Sequence, residues 1–187
     1  MMRFWQAAAV VGVTVSFLGA EEMGRSFAWD APKVLVSVFT QDLGMLDSER
    51  EEYATNLAVH AANHVAAGKA GAGSLADARR MLALALQLSP RNKRAVVINF
   101  QLSKGVLPEP TDGNYSPLVL ARLILTRGQL LEKQGGDKNK RLARYFIQLA
   151  AEMDPKNEDA VYASEVQRLD HGPVDWSAIT DPGGKKP

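Results

Sequence analysis

His60 and His64 stand one helical turn apart, a spacing that points two imidazoles from one helix face toward a shared metal ion. The position after His60, where metal-assisted hydrolysis needs a general-base glutamate, is Ala61, and the remaining histidine, His171, lies far along the chain. The expectation is therefore a half-buried or solvated pair, with no metal, no cofactor and no catalysis. A small metal-dependent enzyme or metal-binding module using His60 and His64 is the alternative. Gly68-Lys-Ala-Gly-Ala-Gly-Ser74 lacks the Gly-Lys-Ser/Thr order of a phosphate loop and follows no strand, so it reads as an interhelical turn. The pairs Glu21-Glu22 and Glu51-Glu52 are adjacent and splay to different sides of a helix, which excludes paired acid–base roles. The absence of cysteine excludes disulfides, thiol catalysis and iron–sulfur ligation.

Charge offers a second kind of chemistry. Arg79, Arg80 and Arg94, with Arg91 and Lys93, surround one Pro-x-Asn turn, and Arg141 and Arg144, with Lys138 and Lys140, sit on a later helix. Arg79, Arg80, Arg94, Arg141 and Arg144 are the expected partner-binding residues, lining a groove for acidic segments or carboxylates. The alternative is a solvated surface with cations favoured near helix C-termini. Lys+Arg is 22 against 21 acids in 187 residues, a net of +1, so nothing marks a nucleic-acid footprint. Trp176 is expected to fold back as an apolar cap on the last helix, or else to anchor a partner.

The elements that must position these residues are mostly helical. Residues 1–20 carry Arg3 and then an uncharged run from Phe4 to Gly19-Ala20, the layout of a signal peptide cleaved near Ala20. An uncleaved anchor over residues 4–20 is the alternative, and only then is a membrane a partner; a buried helix is the third reading. Residues 21–45 read as an arm, in which Lys33–Thr40 is β-branched without a partner strand. Helices are expected over about 47–67, 74–88, 93–104, 118–133, 138–153 and 158–169, punctuated by Gly68, Pro90, Gly105, Gly135-Gly136, Pro155 and Gly172-Pro173. Ser74 is expected to cap the second helix, with Asp77 in a capping box. Apolar faces are expected at Leu57, Ala61 and Val65, at Leu82, Ala85 and Leu86, and at Val96, Val97, Phe100 and Leu102. Residues 46–170 form the helical domain, and 171–187 a C-terminal cap followed by a polar tail from Asp181.

The helical domain repeats itself. Asp77–Val96 aligns with Leu142–Val161 without a gap at an offset of 65. Ala78 meets Ala143, Leu82 meets Ile147, Ala85 meets Ala150, Pro90 meets Pro155 and Asn92 meets Asn157. Each of two copies is a three-helix unit of about 65 residues. The spacing Ala78, Leu82, Ala85, Pro90 and Ala143, Ile147, Ala150, Pro155 resembles the back helix of the tetratricopeptide repeat. The front helices depart from that family: its tryptophan-like, leucine, glycine and tyrosine-like positions hold Ala62, Val65, Ala66 and Lys69, then Arg127, Leu130, Leu131 and Gln134. The resemblance covers roughly residues 56–169 and implies an all-α fold of stacked helical hairpins with a concave binding face. The function expected on this basis is an exported, periplasmic or secreted scaffold or adaptor for a protein or peptide partner. A structural oligomer subunit joined through the apolar helix Leu118–Leu131 is a further alternative.

Overall fold

A computed structural model describes residues 27–34, 37–39 and 43–183. The expected signal segment with its cleavage point at Ala20, the arm residues 21–26 and the tail residues 184–187 lie outside the described residues. Within them the chain is all-α, with seven helices and no strand. No helix among the described residues is long and apolar enough to cross a membrane.

The helices are α1 (Asp47–Ala67), α2 (Ala72–Leu88), α3 (Lys93–Ser103), α4 (Pro117–Gln134), α5 (Asp137–Met153), α6 (Glu158–His171) and the single turn α7 (Ser177–Thr180). α1 packs with α2 and α4 with α5 as hairpins, while α3 lies on the first hairpin and α6 on α5. Glycine makes the second hairpin possible. Gly135 and Gly136 both hold positive φ, 71° and 84°, a conformation side-chain-bearing residues avoid. α2 and α5 begin and end 65 residues apart, as do the starts of α3 and α6. The Asn at each of those starts caps its helix: Asn92 accepts from the Ala95 N–H at 2.9 Å, and Asn157 from the Ala160 N–H at 3.2 Å.

One helix start differs from expectation. α2 begins at Gly71-Ala72, and the Ser74 hydroxyl donates to the Gly71 carbonyl at 3.0 Å instead of capping. Asp77 instead meets His64 of α1 and Arg80 of its own helix. α1 begins at Asp47 as expected and is entered from Leu46, whose N–H is taken by the Glu49 carboxylate at 2.8 Å.

The hairpins share one core. Tyr53 of α1 meets Phe146 of α5 with ring centroids 5.5 Å apart. Arg127 of α4 reaches Glu49 of α1 at 2.6 Å and the Gly44 carbonyl at 2.7 Å. Ala78, Ala85, Ala143 and Ala150 are all fully buried, as small residues at close helix contacts should be. Another close approach is made by glycine. A Cβ on Gly128 of α4 would lie 2.9 Å from Ile147 Cγ1, and 3.2 Å from both Phe146 Cβ and the Ala143 carbonyl oxygen on α5.

The described arm residues pack on this body without regular secondary structure. Phe39 is fully buried, Trp29 Nε1 donates to Asn99 Oδ1 at 2.9 Å, and the Lys33 N–H donates to the Thr180 carbonyl at 2.7 Å. Gln87 joins arm, α2 and α7 from inside the core: its side chain accepts from the Val38 N–H at 2.7 Å and donates to the Ile179 carbonyl at 3.4 Å, while its backbone carbonyl accepts from the Ser37 hydroxyl at 2.6 Å. A buried amide with its hydrogen bonds made fixes the arm in one position.

Candidate functional site

The histidines belong to a polar chain across three helices. The His60 and His64 rings stack with centroids 6.2 Å apart, and His64 Nε2 lies 3.1 Å from Asp77 Oδ2. Asp77 Oδ1 accepts from Arg80 Nη2 at 2.7 Å, and Arg80 Nη1 donates to Glu152 Oε1 at 3.0 Å. Gln148 also donates to Glu152, at 2.8 Å. Burial, aided by the neighbouring His64, lowers the His60 pKa to about 4, so His60 is neutral at ordinary pH. No group of three histidine, aspartate or glutamate side chains among the described residues could hold a metal ion. What the chain does physically is tie α1, α2 and α5 together.

Trp176 folds back onto the helical body, and the partners it meets lie on α5 and α2. It lies edge-on to Tyr145 of α5 at 5.0 Å, with the Arg80 guanidinium over its ring at 5.3 Å. The Tyr145 hydroxyl donates to the Asp175 carbonyl at 2.8 Å. Burial raises the Tyr145 pKa, against the opposing hydrogen bond and charge of Arg141.

The five arginines expected to share one groove have separate surroundings. Arg79 is clasped between two carboxylates, Asp30 at 3.0 Å and Asp181 at 2.9 Å, and its Nε donates to the Asp30 carbonyl at 2.7 Å. Arg80 is held by Asp77 and Glu152. Arg144 donates to the Gly172 carbonyl at 2.7 Å, which stabilises the end of α6. Arg141 bears on Tyr145. Arg94 alone of the five is exposed with no hydrogen bond or ion pair among the described residues. Asp181, read from the sequence as the start of a loose tail, is the other half of the Arg79 clasp and also meets Lys33 at 3.5 Å. Burial alone would raise its pKa, but hydrogen bonds from Arg79, Thr180 and Lys33 hold it below the usual carboxylate range.

Arg94 opens onto a groove between α1 and α3. Two adjoining hollows of about 310 and 380 Å³ share Arg94 and Val97. Val59 and Ala62 of α1 form one wall, Gln101 of α3 the other, and Leu107 and Thr111 of the connecting loop close one end. That loop is clipped in place by Asn63, whose side chain donates to the Thr111 carbonyl at 2.8 Å and accepts its N–H at 2.9 Å. Gln101, Leu107 and Asn63 carry no local signal of this role, because the groove exists only once the loop crosses α1. A hollow of about 690 Å³ occupies the corresponding place between α4 and α6, where Asp154, Asp159, Lys156 and Arg122 contribute the charge. No family model, curated protein or solved structure matches the chain.

Proposed function

We propose that this chain is an exported helical-repeat scaffold that holds a protein or peptide segment in the α1–α3 groove and performs no chemistry itself. The observation that carries the reading is Arg94: an exposed cation with no hydrogen bond or ion pair among the described residues, beside the half-exposed Val97, in a groove whose loop wall is fixed by two hydrogen bonds. The matching occupant is an extended segment with a carboxylate next to apolar side chains. A hydrogen bond from a charged donor contributes roughly 1.5–3 kcal/mol when partly shielded from water, which is about tenfold or more in affinity. The paired lengths of α2 and α5, the Asn caps of α3 and α6 and the buried alanines support a degenerate tetratricopeptide-like unit used twice. Stacked helical units of that kind offer concave faces to extended peptides. Export with cleavage after Ala20 completes the proposal.

An array of ten-residue peptides, graded in acidic and apolar content, tests it. The wild-type chain binds the acidic-apolar members, and Arg94→Glu weakens that binding at least tenfold while leaving helicity unchanged. Binding indifferent to Arg94→Glu would overturn the groove. Amino-terminal sequencing of the chain recovered from the cell envelope should begin at Glu21; an intact Met1 there would remove the cleaved-export part.

A further inference from the structure

α3 and α6 start 65 residues apart, and each leaves one face uncovered. On α3 the buried side is Ala95, Ile98 and Leu102. The helical period therefore places Lys93, Val96, Phe100 and Lys104 together on the opposite side. Phe100 is 60% exposed and Val96 47%, and the Lys104 ammonium lies 5.4 Å from the Phe100 ring centroid. On α6 the buried side is Ala160 and Gln167, and the same period gathers Glu158, Val161, Glu165 and Leu169 outside. Leu169 is 73% exposed. Among the described residues Glu165 is paired only along its own helix, with Arg168 at 2.7 Å on the surface, a contact worth little.

Both faces are therefore apolar at their centres; the α3 face carries Lys93 and Lys104, and the α6 face carries Glu158 and Glu165 with Arg168 at its margin beside Glu165. Lys93 corresponds to Glu158 and Val96 to Val161 at the same offset. Exposed apolar stripes flanked by charge mark association surfaces, and complementary charge selects which surfaces meet. A like pair, α3 on α3 or α6 on α6, would set lysine against lysine or glutamate against glutamate. With Lys+Arg 22 and Asp+Glu 21, the chain has almost no net charge to keep copies apart.

We infer that the α3 face of one copy docks on the α6 face of a second copy, head to tail. Such a contact is heterologous: each copy keeps one unfilled face of each kind, so assembly continues until it closes into a ring or runs on as a filament. Lys93 borders both this face and the groove, but Arg94 stands outside both stripes, so Arg94→Glu probes the groove and Phe100→Glu the face separately.

The test uses the chain as recovered from the expressing cell, the variants Phe100→Glu and Leu169→Glu, and sedimentation velocity over a concentration series. Wild-type mass rises with concentration past that of a dimer. Each variant alone is monomeric, its dissociation constant raised at least tenfold. Mixed one to one, the variants form a dimer and nothing larger, since only the intact α6 of the first can meet the intact α3 of the second. Val96→Glu and Val161→Glu repeat the measurement should either first variant lose its helical circular dichroism. A monomeric wild type overturns the inference. So does a variant that associates alone like the wild type, the result if the contact were two-fold or made by the N-terminal segment. Failure of the mixture to dimerise overturns it as well. Arg94→Glu leaves association unchanged.

Discussion

Gly128→Ala is the most direct probe of how closely α4 and α5 pack. In an exposed helix interior, alanine for glycine stabilises by about 1 kcal/mol, through backbone entropy and helix propensity. At Gly128 the added methyl meets Ile147 Cγ1 at 2.9 Å and both Phe146 Cβ and the Ala143 carbonyl at 3.2 Å. Ala143, Phe146 and Ile147 are fully buried, so none can swing aside into solvent. Overpacking of this kind costs roughly 1–3 kcal/mol, which outweighs the propensity gain and leaves a net loss of about 1 kcal/mol. Gly73→Ala is the control. It lies in the first turn of α2 with nothing within 4 Å of the added Cβ, so the same substitution should be neutral or stabilising by up to about 1 kcal/mol. Urea unfolding followed by circular dichroism reads both. With a slope of about 1–3 kcal/mol/M, the Gly128 variant should lose roughly 0.5 M in midpoint, while the Gly73 variant holds or gains. If Gly128→Ala raises the midpoint as Gly73→Ala does, the helices are not in that contact and the packing described here is wrong.

Further outcomes follow from the polar groups. His60 has a folded pKa near 4 against 6.5 in a free chain, so the unfolded state takes up its proton first as pH falls. Stability should drop between pH 6.5 and 4 by an amount on the order of 2–3 kcal/mol, and unfolding midpoints of His60→Gln should lose that part of the slope. Asn92 caps α3 and also donates to Glu51 and Thr55 at 2.8 Å each. Asn92→Ala should therefore cost about 2–3 kcal/mol, and Asn157→Ala, which loses the α6 cap, about 1 kcal/mol; equal losses in thermal unfolding would refute the difference. For the clasp, Asp181 titrates below its ordinary value, so its contribution is intact above the usual carboxylate range and disappears as pH falls through the lowered pKa. Asp181→Asn should speed proteolysis of the arm several-fold at neutral pH without altering helicity; unchanged cleavage would show the arm is held without it.

The extents of the helices were legible because proline, glycine and asparagine punctuate them: Pro90 and Pro155 follow α2 and α5, and Asn92 and Asn157 start α3 and α6. Which face turns inward was less so. Val96, Val97 and Phe100 look like a core stripe, yet Ala95 and Ile98 join Leu102 inside, because α3 carries apolar residues on two sides and only its neighbours decide between them. Leu118, Val119 and Leu130 of α4 are exposed for the same reason. The arginines misled through distance. Clusters along the sequence look like a shared surface, but Arg79 finds Asp30 and Asp181, and Arg80 finds Glu152, far away in the chain. Gly128 was visible as a lone glycine within an apolar helix, but its meaning rests wholly on α5.

The Arg79 clasp also sets an order of events. Asp30 and Asp181 grip the same guanidinium from roughly 150 residues apart. At about 5–20 residues per second of synthesis, the second carboxylate emerges on the order of ten seconds after the first. Throughout that interval the arm lacks its Asp181 neighbour, and the Lys33 backbone N–H has no Thr180 carbonyl to donate to. The arm can thus meet Arg79, Gln87 and Asn99 early, and its contacts with Thr180 and Asp181 are added only when the trailing end arrives.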